Sequence, residues 1–214
     1  MILGAALLAA GVASSMAQSN VYSVNVVGYI NLSLTNGLNL VANQLDFDGT
    51  GTNNTISGVF SNSLPNNSTV YKFESGSFVP ISYSHSTWQA SANTTSLNPG
   101  EAVFVLVPSS VTVTTVGQVL QGGLTNNLNG ALNLLSSVAP LSGAVDSTGN
   151  GGLNYVPTAN DIIYVWDPVG QSYLSPYSFS HGHWGPSDPV ISVGQGFFLQ
   201  STSTSPWVNT FTVQ

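Results

Sequence analysis

Short stretches in which apolar and polar side chains alternate follow one another along most of the chain, and many of their residues are β-branched or aromatic. Clusters of Gly, Asn and Pro lie between them, with hairpins expected at Ser75-Gly76 and Val169-Gly170. Helical turns are expected at 54–60 and 118–124. Many short strands separated by turns are typical of an all-β sandwich or barrel. The strands are predicted at residues 21–30, 38–42, 69–73, 78–83, 102–107, 111–116, 132–135, 162–166, 196–200 and 208–213.

The pattern of the first half of the chain returns in the second half. Four blocks recur in the same order: 38–40 as 132–134, 70–73 as 163–166, 84–88 as 180–184 and 99–104 as 193–198. They are spaced by 94, 93, 96 and 94 residues (132 − 38, 163 − 70, 181 − 85 and 197 − 103). This period is longer than the ~20–50 residues of a solenoid repeat. The sequence therefore predicts two tandem, homologous, β-sandwich-like or barrel-like domains of mostly antiparallel short strands, at 31–117 and 118–214.

The recurring blocks also carry a resemblance. Leu-Asn-Leu, an aromatic strand with a turn, a Trp and Gly-Glu/Gln-x-x-Phe occur in this order, and Val-Asn-Val-Val-Gly-Tyr stands at 24–29. This combination resembles a module of secreted proteins from environmental bacteria, notably Verrucomicrobia. The resemblance covers nearly the whole chain after residue 17. It implies secretion and a β-rich fold, and it transfers no catalytic residue.

The first 17 residues resemble a signal peptide. Residues 2–13 are apolar and small, and Ser15-Met16-Ala17 supplies small residues at the positions that a signal peptidase reads. No Lys or Arg precedes the apolar stretch, and a buried N-terminal helix is the alternative interpretation. The stretch is shorter than the ~20 residues of a membrane span. We expect a secreted protein, extracellular or at the cell surface, without a membrane span in its mature chain.

The charge of the chain excludes two classes of partner. Lys72 is its one basic residue, against eight acidic residues, and the net charge is −7. Nucleic acids and anionic lipid surfaces are bound through several Lys and Arg residues, so neither is an expected partner. There is no cysteine, so disulfides do not stabilise the fold.

The N-terminal strand is the strongest candidate for an assembly element. Soluble β-proteins protect their edge strands with charges, especially Lys, and this chain has almost none. A free apolar strand at 18–30 could complete the sheet of a neighbouring copy, and such head-to-tail pairing builds filaments. We therefore expect a self-assembling structural subunit of an extracellular filament or surface layer. The predicted assembly residues are Val21, Tyr22, Val24, Val26, Val27, Tyr29 and Ile30.

Carbohydrate binding or adhesion is the alternative function. Flat aromatic rings suit the apolar faces of sugars, although most aromatic residues here are expected in the core or in cross-strand pairs. Tyr173, Tyr177 and Trp184 lie in a loop-rich stretch and are the candidates for exposed rings. A polysaccharide is therefore the second expected partner.

Two motifs suggest metal ligands. Asp46 and Asp48 precede Gly49 as in half of a calcium loop, but no third carboxylate follows at the expected spacing, and a polar Gly-rich turn is the favoured interpretation. His181 and His183 could place two imidazoles on one ion, whereas the matched positions of His85 and His181 favour a role in a turn.

The sequence contains no recognisable catalytic motif. It has neither Gly-x-Ser-x-Gly nor cysteine, and a phosphate-binding loop and a dinucleotide fingerprint are absent. The carboxylates are scattered instead of paired. We expect a protein that is not an enzyme and has no cofactor, calcium being the one candidate.

Overall fold

A computed structural model describes residues 26–213 of the chain. They form short strands, one α-helix and one 3-10 helix. The first unit, residues 26–119, contains β1 (Val26–Leu34), β2 (Gly37–Ala42), α1 (Ile56–Phe60), β3 (Ser68–Glu74), β4 (Ser77–Ser84), β5 (Thr87–Trp88), a 3-10 helix (Ala90–Asn93), β6 (Ala102–Val107) and β7 (Val111–Val119). The second unit, residues 122–211, contains β8 (Gly122–Asn126), β9 (Leu132–Leu135), β10 (Gly143–Ala144), β11 (Ile162–Tyr164), β12 (Trp166–Asp167), β13 (Ser172–Tyr173), β14 (Tyr177–Ser180), β15 (His183–Gly185), β16 (Val190–Ile191), β17 (Phe197–Gln200) and β18 (Trp207–Phe211).

The two units share one strand order. Each has a five-stranded antiparallel sheet, β2-β6-β3-β4-β5 in the first unit and β9-β17-β11-β14-β15 in the second. Each also has a two-stranded ribbon, β1–β7 or β8–β18. Tyr29 pairs with Val116 in the first ribbon, and Gly123 pairs with Thr210 in the second, so both strands keep the offset of 94 residues. The all-β prediction is confirmed, and no sheet formed by residues 26–213 closes into a barrel.

In each unit the ribbon packs on the five-stranded sheet and encloses an apolar core. The alternation along β1 turns Ile30, Leu32 and Leu34 inward, while the residues between them face solvent. These side chains meet the inner face of the sheet, including Val70 and Val105. The core of the second unit is built in the same way and includes Leu199 and Trp207. The result is a sandwich-like arrangement of two β-layers in each unit.

The Leu-Asn-Leu block recurs because its asparagine closes a turn. Asn39 is buried, and its amide donates to the carbonyls of Thr35, Gly37 and Val105 at 2.8, 3.0 and 3.4 Å. Its Oδ1 accepts the N–H of Thr35 at 2.8 Å. Asn133 is also buried and makes the equivalent bonds to Asn129, Ala131 and Leu199. Asn39 thus satisfies four backbone groups and Asn133 three, and each side chain fixes the path of the chain into the strand that contains it, β2 or β9.

Some sequence expectations hold and others fail. The helical turn at 54–60 is present as α1, capped by the Thr55 hydroxyl, which accepts the N–H of Gly58 at 3.1 Å. The helical turn expected at 118–124 is wrong, because these residues end β7 and begin β8. The ladder of the first ribbon continues to Val119, and the second ribbon begins at Gly122. No helix within residues 26–213 has the length and apolar character needed to cross a membrane.

Candidate binding surfaces

The two units face each other through the outer faces of their five-stranded sheets. Phe104 and Phe198 occupy equivalent places at the centre of this interface. Ala42 donates its N–H to the Gly194 carbonyl, and Ser136 donates to the Gly100 carbonyl, both at 2.9 Å. Ser136 stands 94 positions after Ala42, and Gly194 stands 94 positions after Gly100, so the two bonds are equivalent. The interface therefore has approximate two-fold symmetry within one chain.

Gln44 joins the units at a buried position. Its amide nitrogen donates to the hydroxyls of Ser136 and Ser137 at 3.3 and 2.9 Å, and its Oε1 accepts the N–H of Gly194 at 2.7 Å. All three partners belong to the second unit, and the Gln44 side chain has no exposed surface. Because buried polar groups are expensive to leave unpaired, these bonds fix the relative position of the units.

An aromatic groove of about 420 Å³ opens beside the interface. The Trp166 ring meets Phe104 and Tyr173 edge to face, with centroids 5.2 and 5.0 Å apart. The indole N–H of Trp166 donates to the Leu38 carbonyl at 2.9 Å, so it is already used inside the protein. Partial burial raises the pKa of the Tyr173 hydroxyl. The groove is lined by Leu38, Tyr71, Phe78, Phe104, Leu106, Trp166 and Tyr173.

The three predicted glycan-binding residues do not form one surface. Tyr173 lies in the aromatic groove and is exposed. Tyr177 is partly buried against the core of the second unit. Trp184 is only 3% exposed and packs edge to face on Phe179, so its assignment as an exposed sugar-stacking ring is wrong. Its place on β15, opposite Phe179 on β14, turns the indole into the core.

A polar cleft of about 710 Å³ lies at the interface, on the side where the β3–β4 hairpin approaches β9. Glu101 and Phe73 contribute from the first unit, and Asn127 and Leu132 from the second. Glu101 Oε2 accepts the N–H of Asn98 at 2.6 Å and lies 2.9 Å from Lys72 Nζ. The Glu101 side chain is 37% exposed and that of Lys72 is 8% exposed. The carboxylate is thus held in one orientation at the rim of the cleft.

The β1–β7 ribbon exposes an apolar face. Val27 is 57% exposed, Tyr29 70% and Val116 42%, and the last two face each other across the ladder. Neither strand contains a charged residue. The equivalents of these three residues in the second unit, 94 positions on, are Gln121, Gly123 and Thr210. The paired strands of the second ribbon, within residues 122–211, expose one large apolar side chain, Val208.

The predicted assembly strand is partly paired within its own chain. Val26, Val27, Tyr29 and Ile30 lie in β1, opposite Val119, Gln118, Val116 and Thr115 of β7. Val21, Tyr22 and Val24 lie outside the described residues. From Val26 onward one edge of the strand is therefore occupied by β7, so the strand cannot be donated as a detached strand to another copy unless this pairing breaks.

The calcium motif forms a loop that satisfies its own carboxylates. Asp46 is buried and accepts from the Asn54 amide and the Gly51 N–H, both at 2.9 Å. Asp48 is exposed and accepts from the Thr50 hydroxyl at 2.7 Å and from the Asn53 amide. These hydrogen bonds, that of Thr50 foremost, lower the pKa of Asp48. Within residues 26–213, no group of three metal-ligating side chains comes together.

The histidines lie in exposed turns. His85 and His181 have φ values of 51° and 52°, and each begins the hairpin turn that follows β4 or β14. A positive φ in a two-residue hairpin matches the twist of its strands. His183 is exposed on β15. The described geometry thus agrees with the structural interpretation of the matched histidines.

Asp161 is a buried carboxylate with an internal hydrogen-bonding role. Burial alone raises its pKa, but hydrogen bonds outweigh this effect and the net pKa is lowered. Its donors are the Tyr155 hydroxyl at 2.6 Å, and the N–H and hydroxyl groups of Thr158, at 2.7 and 2.9 Å, and of Thr202, at 2.9 and 3.2 Å. Burial and the neighbouring Asp161 charge raise the pKa of Tyr155. The carboxylate ties together three segments of the second unit.

No protein-family model, curated protein or solved structure matches the chain. Neither the groove nor the cleft is predicted from the sequence, because residues of both units form each of them. One signal was available: Glu101 stands where the repeat has Gln195, so a charge occurs in one of two otherwise matched turns.

Proposed function

We propose that the protein is a non-enzymatic structural subunit, exported from the cell, that associates with further copies of itself along the β1–β7 ribbon. The observation that carries the proposal is the exposed apolar face of this ribbon, which the second unit replaces with Gln121, Gly123 and Thr210. The apolar stretch at 2–13 supports export.

The open edges of the ribbon provide the means of association. Among the described residues, β1 pairs with β7 alone, and β7 has one further bridge, from Gln118 to Asp46. Each large sheet has two outer strands. β5 and β15 have only two and three residues and are poor templates for pairing. β2 and β9 each form a bridge to the other unit, through Val41 and Leu135. The β1 edge at Val26–Ile30 of one copy can instead pair with the β7 edge of the next.

Charge favours this contact over others. Each copy carries a net charge of −7, so two copies repel one another wherever carboxylates approach. The two ribbon strands contain no charged residue, so a contact between them does not bring carboxylates of these strands close to one another. Pairing of β1 with β7 of the next copy is heterologous, and it continues into a filament when the rotation between successive copies does not close into a ring.

Sedimentation velocity over a wide concentration range tests the proposal. We expect the protein without residues 1–17 to form species larger than a monomer, and Val116→Lys to return it to monomer because a charge enters the contact. Thr210→Lys is the matched control at the equivalent position of the second ribbon and should leave association unchanged. A wild-type protein that stays monomeric at the highest concentration contradicts the proposal, as does equal loss in both variants.

Carbohydrate binding is the second candidate function. The observation that favours it is the exposed Tyr173 ring in the aromatic groove, beside Phe78, which is also exposed. Such rings stack on the apolar faces of sugars. Loss of polysaccharide binding in Tyr173→Ala supports this function, and unchanged binding excludes the groove.

A further inference from the structure

We infer that the polar cleft between the units is a binding site for a neutral sugar residue of a polysaccharide. This site is distinct from the aromatic groove and does not depend on self-association.

The interface contains a second cleft related to the first by the internal symmetry, and the protein itself fills much of it. Its volume is about 340 Å³, and Trp166, Pro168 and Gln195 stand where the polar cleft has Phe73, Ser75 and Glu101. The Thr35 hydroxyl donates to the Pro168 carbonyl at 3.0 Å. The Gln171 side chain accepts the N–H of Leu38 at 2.8 Å and donates to its carbonyl at 3.0 Å.

The polar cleft has no equivalent of the hydrogen bonds that close the second cleft at Pro168 and Gln171 among the described residues. The β3–β4 hairpin turns at Ser75-Gly76, and none of its described side chains bonds to Leu132, the equivalent of Leu38. Leu132 is exposed, whereas Leu38 is half-buried. The shorter hairpin therefore leaves about twice the volume, 710 Å³ against 340 Å³, open to a ligand.

The groups that line the cleft suit hydroxyl groups. Glu101 Oε2 is occupied by Asn98 and Lys72, but no described residue donates to Oε1. The side-chain amides of Asn98 and Asn127 are exposed, and no described residue bonds to them. Carboxylate and amide groups together accept from and donate to vicinal hydroxyls, and the Phe73 ring offers a surface for the apolar face of a sugar.

Other ligand classes fit less well. A cation would meet a single carboxylate whose charge Lys72 already balances at 2.9 Å. An anion would meet Glu101 in a protein with a net charge of −7 and one basic residue, which is already paired. A purely apolar ligand would leave Glu101 and the two amides without partners.

Titration of isotope-labelled protein with four neutral hexasaccharides, of glucose, xylose, mannose and N-acetylglucosamine, tests the inference by NMR. We expect at least one to shift the amide signals of Asn98, Glu101 and Asn127. Glu101→Gln should weaken binding about tenfold, since a hydrogen bond to a charged group is lost. Gln195 shows that Gln supports the same turn, because its Oε1 accepts the N–H of Ser192 at 2.9 Å.

Three further variants separate the outcomes. Asn127→Ala removes one exposed amide and should also weaken binding. It tests the site independently if Glu101→Gln fails to fold because the ion pair with Lys72 is lost. Gln195→Glu makes the reverse exchange in the closed cleft and should leave the affinity unchanged. Binding abolished by Tyr173→Ala alone places the sugar in the aromatic groove and overturns the inference. Failure of all four sugars to shift the cleft signals at millimolar concentration also overturns it, whatever the state of self-association.

Discussion

Replacement of Gln44 by Met tests the energetic link between the two units. The Met side chain is nearly as long as the Gln side chain, so the substitution leaves little empty space and the free-energy cost of a cavity is small. The variant loses three hydrogen bonds, and the N–H of Gly194 loses the partner it has at 2.7 Å. At about 1 kcal/mol for each neutral bond, the expected loss in the free energy of unfolding is about 3 kcal/mol.

Chemical and thermal denaturation measure this loss. For a chain of this size, about 3 kcal/mol lowers the melting temperature by roughly 6–12 °C. Gln171→Met is the matched control, because Gln171 also bonds across the interface, to both backbone groups of Leu38, but is exposed. Water replaces those partners, so the control should lose under about 1 kcal/mol. A Gln44 variant as stable as the control would refute the assignment of Gln44 as the buried link.

Two further predictions concern single side chains. Because the folded-state pKa of Asp161 is lowered, its contribution to stability is present above its unfolded pKa of about 4 and is lost as the pH falls through the folded value. Asp161→Asn should therefore destabilise the protein by about 1–3 kcal/mol at pH 7 and by less at pH 3, and an equal loss at both values contradicts this role. Asn39→Asp and Asn133→Asp each remove amide donors from buried carbonyls and should each lower the unfolding free energy by about 2–3 kcal/mol in urea titrations, whereas a neutral effect at either site contradicts the turn-closing role.

The sequence predicts local structure better than surfaces. Alternation along 26–34 and the Leu-Asn-Leu blocks determine which side chains turn inward, and the all-β fold follows from such local patterns. The prediction that Trp184 is exposed is wrong because the stretch around it, which is rich in turn residues, contains a short strand, β15. This strand turns the ring into the core. The cleft at Glu101 depends on the packing of two distant units and on the length of one hairpin, which no local pattern records.

Electron microscopy of the purified protein without residues 1–17 tests the central proposal of ribbon-mediated assembly most directly. The wild type should form filaments, Val116→Lys should give single particles, and Thr210→Lys should form filaments like the wild type. Single particles in all three samples at high concentration contradict assembly through the β1–β7 ribbon. Filaments that persist in Val116→Lys also contradict it, because they would have to use another surface.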